Sequence, residues 1–129
     1  GLGMGWNARA MLISRGLAEM VRFGTAMGAE KETFLGLAGV GDLLATAFSP
    51  LSRNFRVGQG LARSEKLDDI VAKVGTAEGV PTTRIVYDFA KLRNIDMPIT
   101  AGVYQLLKGG VTIEQLFSEL MTRSAKREF

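Results

Sequence analysis

The chain has 129 residues, of which 47% are hydrophobic and 22% charged, a composition typical of one folded domain rather than a disordered segment. It contains no cysteine and no histidine, which excludes disulfides, thiolate nucleophiles, Cys-based metal sites and the usual general base near neutral pH. The net charge of +3 suits an anionic ligand without specifically indicating nucleic acid, and no apolar run reaches the length of a membrane span.

The first predicted element is a long helix. It runs from about residue 7 to 27, with Asn7 as its candidate cap and Gly28 after its last turn as a stop. Apolar residues surround most of this helix, which predicts a central position packed on several sides. Its clear polar stripe consists of Arg15, Glu19 and Arg22.

Further helices follow, divided by glycine and proline, and no segment alternates with the period of a strand. They are predicted near residues 31–37, 42–48, 54–63, from 64 or 67 onward, 82–93, 98–108 and from 112 onward. On the helix at 82–93, four apolar residues share one face, namely Ile85, Val86, Phe89 and Leu92. Thr112 and Gln115 form a capping box for the last helix. The prediction is one all-α domain over residues 1–129, without a metal site.

A glycine-rich segment at residues 36–42 precedes one of the short helices. Its Gly39-Val40-Gly41-Asp42 begins like a phosphate-binding fingerprint, but it lacks the third glycine and a preceding strand. No nucleotide-binding βαβ unit is therefore predicted. The glycines allow close backbone approach and place Asp42 at a helix start, where the residues alone favour a plain N-cap.

Ser52-Arg53-Asn54 offers a hydroxyl, a guanidinium and an amide just before a helix. Backbone N–H groups, the positive end of the helix and a bidentate arginine together suit a phosphate. The alternative is a solvated Arg53 beside an Asn54 cap. The residues alone leave these two interpretations about even.

Several motifs occur in one order along nearly the whole chain. They are Asn7-Ala8-Arg9-Ala10, residues 12–20 (LISRGLAEM), residues 36–43 (GLAGVGDL), residues 49–54 (SPLSRN), Glu78-Gly79, Met97-Pro98-Ile99 and Tyr104-Gln105. In this order they resemble the C-terminal substrate-binding domain of bacterial NAD(P)-dependent glycerol-3-phosphate dehydrogenases. The resemblance implies a single multi-helix domain of the 6-phosphogluconate dehydrogenase C-terminal type.

The resemblance also implies residue roles. Asp42 would lie at the substrate and near the catalytic lysine, in a supporting catalytic role. Ser52, Arg53 and Asn54 would contact the substrate, and Arg53 would reach the cofactor as well. Glu78, with Thr76 as its neighbour, would belong to a cofactor-contacting loop. Family members often have Val or Ile before that glutamate, where this chain has Thr76-Ala77.

The implied activity is that of an enzyme interconverting dihydroxyacetone phosphate and sn-glycerol 3-phosphate with NAD or NADP, for glycerophospholipid precursor synthesis. We expect an N-terminal Rossmann domain to hold most of the cofactor, and that domain and the proton-donating lysine segment to precede residue 1 of a longer protein. The 129 residues would then be inactive alone. The expected partners are the substrate, this Rossmann domain and a second copy in a homodimer, with no nucleic acid and no membrane span. The expected location is the cytoplasm.

Two alternatives remain at the level of sequence. One is a helical interaction or nucleic-acid-binding module, suggested by Arg53, Arg56 and Arg63, although no recognition-helix signature accompanies them. The other is the C-terminal half of a related dehydrogenase with a different substrate. The Ser-Arg-Asn segment argues against the latter, because it suits a substrate that ends in a phosphate.

Overall fold

The computed structural model describes residues 2–123, and within that range the chain is helical without strands, as predicted. The elements are α1 (Trp6–Ala26), α2 (Lys31–Leu35), a π-helical turn (Leu37–Gly41), α3 (Asp42–Phe48), α4 (Arg53–Ala62), α5 (Leu67–Val74), α6 (Gly79–Leu92), α7 (Pro98–Leu107) and α8 (Ile113–Thr122). None of the helices in this range is both long and apolar enough to cross a membrane.

Helix α1 is central, as its apolar surface predicted, because it contacts α2, α3, the π-helical turn and α7. Gly28 follows it with φ of +89°, a conformation that favours glycine, so the predicted stop is confirmed. The predicted cap is wrong. The helix begins at Trp6 after Gly5, without a side-chain cap, and Asn7 lies inside its first turn.

The polar stripe of α1 does not face solvent. Glu19 is 4% exposed, and its carboxylate accepts hydrogen bonds from the backbone N–H groups of Ile99 and Thr100 and from the Thr100 hydroxyl. These N–H groups belong to the first turn of α7, whose N-cap residue Met97 offers no side-chain cap and whose first residue, Pro98, has no N–H. Glu19 therefore caps α7 from another helix.

The two arginines of the stripe bind carbonyl groups elsewhere in the fold. Arg15 donates to the carbonyls of Leu120 and Arg123 at the end of α8, and Arg22 donates to the carbonyl of Asp96 before α7. The last carbonyl groups of a helix have no hydrogen-bond partner within that helix, and Arg15 supplies one at the end of α8. Arg22 supplies a donor to a carbonyl in the connection between α6 and α7. The polar stripe of α1 thus makes hydrogen bonds to α7, to α8 and to the segment before α7.

A small buried cluster holds α4 against α5 and the segment that follows α5. Val57, Ile70 and Ala77 form its centre, at 2–4% exposure. Gly60 allows α4 to approach closely, because a Cβ at this position would lie 2.6 Å from Ile70 Cγ1. This packing places the start of α4 beside residues 76–79.

Helix α6 begins at Gly79, three residues before the prediction, with Pro81 in its first turn, a position that tolerates proline. Its predicted apolar face is divided, because Val86 and Phe89 are partly buried whereas Ile85 and Leu92 are exposed. The capping box of α8 is confirmed. The Thr112 hydroxyl accepts from the Gln115 N–H at 3.2 Å, and the Gln115 side chain accepts from the Thr112 N–H at 2.9 Å.

Candidate functional site

Asp42 lies where the π-helical turn runs directly into α3. Both Gly41 and Asp42 have helical dihedral angles, and Asp42 makes no capping hydrogen bond, so the plain N-cap favoured from the residues alone is wrong. Gly39 is required in this turn, because a Cβ there would overlap the backbone of Phe34. The exposed Asp42 carboxylate makes no hydrogen bond or ion pair within residues 2–123. It is therefore accessible to a ligand or to a cation.

Ser52 is the N-cap of α4, and its hydroxyl oxygen accepts a hydrogen bond from the Phe55 N–H at 3.3 Å. The interpretation that made Asn54 the cap is therefore wrong, since Asn54 lies within the first turn. Arg53 is the first residue of the helix, and that turn contains no acidic residue. The positive end of α4 is thus flanked by a cation rather than neutralised by a carboxylate.

Arg53 and Asn54 both bind the segment that precedes and begins α6. The Arg53 guanidinium donates to the Thr76 carbonyl at 3.2 Å, and the Asn54 side-chain oxygen accepts from the Gly79 N–H at 3.0 Å. A Cβ at Gly79 would lie 2.7 Å from that oxygen, so the close approach needs glycine. The structure therefore brings Arg53 and Asn54 together with Thr76 and the adjacent Glu78, although 25 residues separate Asn54 from Gly79.

A cleft of about 340 Å³ lies between α1, α3 and α4. Its lining residues are Met4, Arg9, Leu12, Ile13, Thr46, Ala47, Phe48, Asn54, Phe55 and Gly58. Of the candidates named from the sequence, only Asn54 lines it. Asp42 lies one helical turn before Thr46 on α3, and residues four apart share a helix face. Ser52, Arg53, Thr76 and Glu78 lie outside the lining.

Two polar lining residues, Arg9 and Thr46, are absent from the sequence candidates. Arg9 belongs to the Asn7–Ala10 motif, and Thr46 follows Asp42 by four residues, so motif membership and helical spacing were the available signals. Trp6 and Phe48 stand at this end of the fold with their ring centroids 6.3 Å apart. The Arg9 guanidinium lies 5.5 Å from the centroid of the Trp6 ring.

A larger cavity of about 610 Å³ lies between α6, α7 and α8 and contains none of the candidate residues. Arg123 and Asp96 in its lining form an ion pair at 3.3 Å, so the protein itself neutralises these charges. Its size alone does not indicate function. The candidate site is the smaller cleft together with the adjoining edge of Arg53, Thr76 and Glu78. No cluster of acidic residues within the described range could hold a metal ion.

The fold and the cleft define a class of protein: an all-α domain with an open cleft whose described lining is mostly apolar and contains one cation, Arg9. Comparison with known proteins identifies the family. Residues 1–118 match the family described as "NAD-dependent glycerol-3-phosphate dehydrogenase C-terminus", and the chain belongs to that family. The alternatives of a nucleic-acid-binding module and of a related dehydrogenase with another substrate receive no support from the comparisons.

Individual relatives agree with this family. The chain is 55% identical to a glycerol-3-phosphate dehydrogenase [NAD(P)+] of Nostoc sp., over 100% of this chain and 42% of the relative. It is 48% identical to the enzyme of the same name from Leuconostoc mesenteroides, over 99% of this chain and 38% of the relative. The crystal structure of a glycerol-3-phosphate dehydrogenase from Coxiella burnetii superposes with a TM-score of 0.90 at 39% identity, over 95% of this chain and 38% of that one. The chain therefore spans about two fifths of the length of these relatives.

Proposed function

We propose that this chain is the substrate-binding domain of an enzyme that interconverts dihydroxyacetone phosphate and sn-glycerol 3-phosphate with NAD(P)H. The observation that carries the proposal is the junction at the start of α4. There Arg53 and Asn54 stand at a positive helix end without a carboxylate, next to the cleft, and are bound to residues 76 and 79. Family membership supports the same activity for the full-length protein.

The start of α4 is assigned to the phosphate end of the substrate. Its first turn contains no carboxylate, and Arg53 uses one N–H on the Thr76 carbonyl and retains further donors. Backbone N–H groups and a planar guanidinium favour a phosphate group at such a position. The Ser52 hydroxyl can donate its own proton to that phosphate while its oxygen continues to cap the helix. Holding the phosphate end fixes the reacting carbon at a distance.

The edge formed by Arg53, Thr76 and Glu78 is assigned to the cofactor. All three residues are exposed, and the Arg53–Thr76 hydrogen bond keeps the cation next to the loop. An exposed cation with free donors beside an open loop fits a dinucleotide that is held mainly by another domain. When bound, the nicotinamide supplies the hydride that reduces the ketone. Whether the enzyme prefers NAD or NADP depends on contacts outside this chain.

Asp42 is assigned a supporting role in proton transfer. Its carboxylate is exposed and has no partner among the described residues, on the face of α3 that includes Thr46 of the cleft. There it can accept a hydrogen bond from a substrate hydroxyl and orient the proton-donating lysine of the N-terminal part. A lysine cation placed in this way would stabilise the negative charge that develops on the carbonyl oxygen.

The partner proposed for this end of the fold is the N-terminal Rossmann domain of the full-length protein. Trp6 at the start of α1, Leu37 in the π-helical turn and Leu51 before α4 are 77–90% exposed. Large exposed apolar side chains are typical of a surface that another domain covers. The cleft would then lie between the two domains, a preferred place for a ligand site. The homodimer, the cytoplasmic location and the role in glycerophospholipid precursor synthesis stay predictions.

The test is turnover of dihydroxyacetone phosphate with NADH and NADPH by the full-length protein and its Arg53→Ala variant. We expect the variant to lower kcat/KM by about 10- to 100-fold, because a charge-assisted hydrogen bond contributes about 1.5–3 kcal/mol. Arg84→Ala is the matched control, since Arg84 is exposed on α6 and, within residues 2–123, pairs only with Asp88 of its own helix. Full activity of Arg53→Ala, or absence of turnover by the unmodified enzyme, would contradict the proposal.

A further inference from the structure

Among the described residues that line the cleft, Arg9 is the charged one. It is half-buried near the start of α1, where it lines the cleft and stacks beside the exposed Trp6 ring. Its guanidinium makes no hydrogen bond or ion pair within residues 2–123. Guanidinium groups carry five N–H donors and are always charged, so a half-buried one normally has an acceptor. The acceptor of Arg9 is therefore to be sought in the cleft.

The charges around the cleft favour an anion. Among the described residues, its lining contains Arg9 and no aspartate or glutamate. Helices α1 and α4 both contribute to the lining, and neither has an acidic residue in its first turn. Both helix starts therefore contribute positive potential, and the neighbouring apolar residues Leu12, Ile13 and Phe55 reduce its screening by water.

We propose that Arg9 is a second cationic contact for the phosphate group of the substrate, in the cleft that Asn54 also lines. The inference rests on the proposed function and adds a residue to its substrate site. Arg53 lies outside the lining of the cleft and donates to the Thr76 carbonyl, whereas Arg9 lies within that lining. Asn54 lines the cleft and also accepts a hydrogen bond from the Gly79 N–H. Arg9 and Arg53 would then both contact one phosphate dianion that lies beside Asn54. The Trp6 ring orients the guanidinium by stacking.

The experiment compares two ketones in the full-length enzyme, dihydroxyacetone phosphate and unphosphorylated dihydroxyacetone. Arg9→Met removes the charge but keeps an unbranched side chain against Trp6. We expect it to lower kcat/KM for the phosphorylated ketone by about 10- to 100-fold, the loss of a charge-assisted hydrogen bond. We expect kcat/KM for dihydroxyacetone and KM for NAD(P)H to change less than about twofold, because neither involves the lost contact.

Two further variants control this experiment. Arg9→Lys keeps the charge without the planar fork, so its loss should be smaller than that of Arg9→Met. Arg84→Met, in an exposed pair on α6, should match the unmodified enzyme for both ketones. Thermal unfolding and circular dichroism verify that each variant is folded. If Arg9→Met does not fold, kcat/KM for the two ketones is compared in Arg9→Lys instead.

Several outcomes would overturn the inference. If Arg9→Met leaves kcat/KM for dihydroxyacetone phosphate unchanged, or lowers it equally for both ketones, Arg9 does not contact the phosphate. A rise in KM for NAD(P)H alone would assign Arg9 to the cofactor instead. In each case turnover by the unmodified enzyme would leave the proposed function intact, whereas absence of that turnover would contradict the proposed function itself.

Discussion

The side chain of Glu19 should contribute substantially to the stability of this fold, because its oxygens accept three hydrogen bonds in a buried position. Replacing Glu19 by Ala leaves the N–H groups of Ile99 and Thr100 without their acceptor at a helix start whose own cap provides none. An unsatisfied buried donor costs about 1–3 kcal/mol, so we expect the free energy of unfolding to fall by about 2–4 kcal/mol in total. Glu19→Gln keeps one acceptor oxygen and should lose about half as much.

The assay is urea denaturation of the full-length protein and its variants, with the free energy of unfolding obtained by linear extrapolation. Glu119→Ala is the matched control, because Glu119 is exposed on α8, and its effect should stay within about 0.5 kcal/mol. The capping argument would be refuted if Glu19→Ala were as stable as this control. Hydrogen exchange at the start of α7 should accelerate in Glu19→Ala, because α7 begins at the N–H groups that Glu19 binds.

The same residue predicts a dependence of stability on pH. Burial raises the pKa of Glu19 above its ordinary value of 4.5, against the smaller lowering by hydrogen bonds from Ile99 and Thr100 and by the charge of Arg22. The carboxyl group of Glu19 therefore binds its proton more tightly in the folded protein than in the unfolded chain. The resulting stabilisation is complete below about pH 4.5, and it is lost as the pH rises through the raised pKa of Glu19 in the folded protein. Relative to Glu19→Gln, which does not titrate, the Tm of the unmodified protein should fall as the pH rises. A relative Tm that rises would refute the sign.

Three further predictions follow from the packing, the site and a cap. Gly60→Ala places a methyl group 2.6 Å from Ile70 Cγ1 and should cost about 1–3 kcal/mol of unfolding free energy by overpacking. Asp42→Asn in the full-length enzyme should lower kcat with an unchanged circular dichroism spectrum, because the variant lacks the charge that we propose orients the proton-donating lysine. Thr112→Ala removes the capping box of α8 and should cost about 1 kcal/mol of unfolding free energy.

Each of these has a control or a contradicting outcome. Gly58 lies on the same helix as Gly60, and a methyl group added there would have no neighbouring atom within 4 Å, so Gly58→Ala should stabilise the protein by about 0.5–1 kcal/mol. Equal effects of the two substitutions would contradict the packing argument. Unchanged kcat in Asp42→Asn would remove this residue from the mechanism. A Thr112→Ala variant as stable as the unmodified protein would show that water replaces the cap.

The amino-acid sequence was enough to predict the helices and several of their ends, because these depend on residues close together in the chain. Gly28 follows α1 with positive φ, and Thr112 caps α8 through a residue three positions away. It also determined the family, since ordered motifs along the chain are specific even when each one is short.

Which side chains contact one another depends on how the helices pack, and the sequence did not predict these contacts. Periodicity places Glu19 on a polar stripe of α1, but only the packing of α1 against α7 turns it into a buried cap 80 residues away from its partner Ile99. Likewise the spacing of Asn54 and Gly79 carries no signal for their hydrogen bond, which exists because the cluster around Ile70 presses α4 onto the following segment. Arg9 likewise lines the cleft because α1 packs beside α3 and α4, whose residues form the rest of the lining. Local sequence fixes the face of a helix on which a residue lies, whereas its partner depends on contacts between residues distant in the chain.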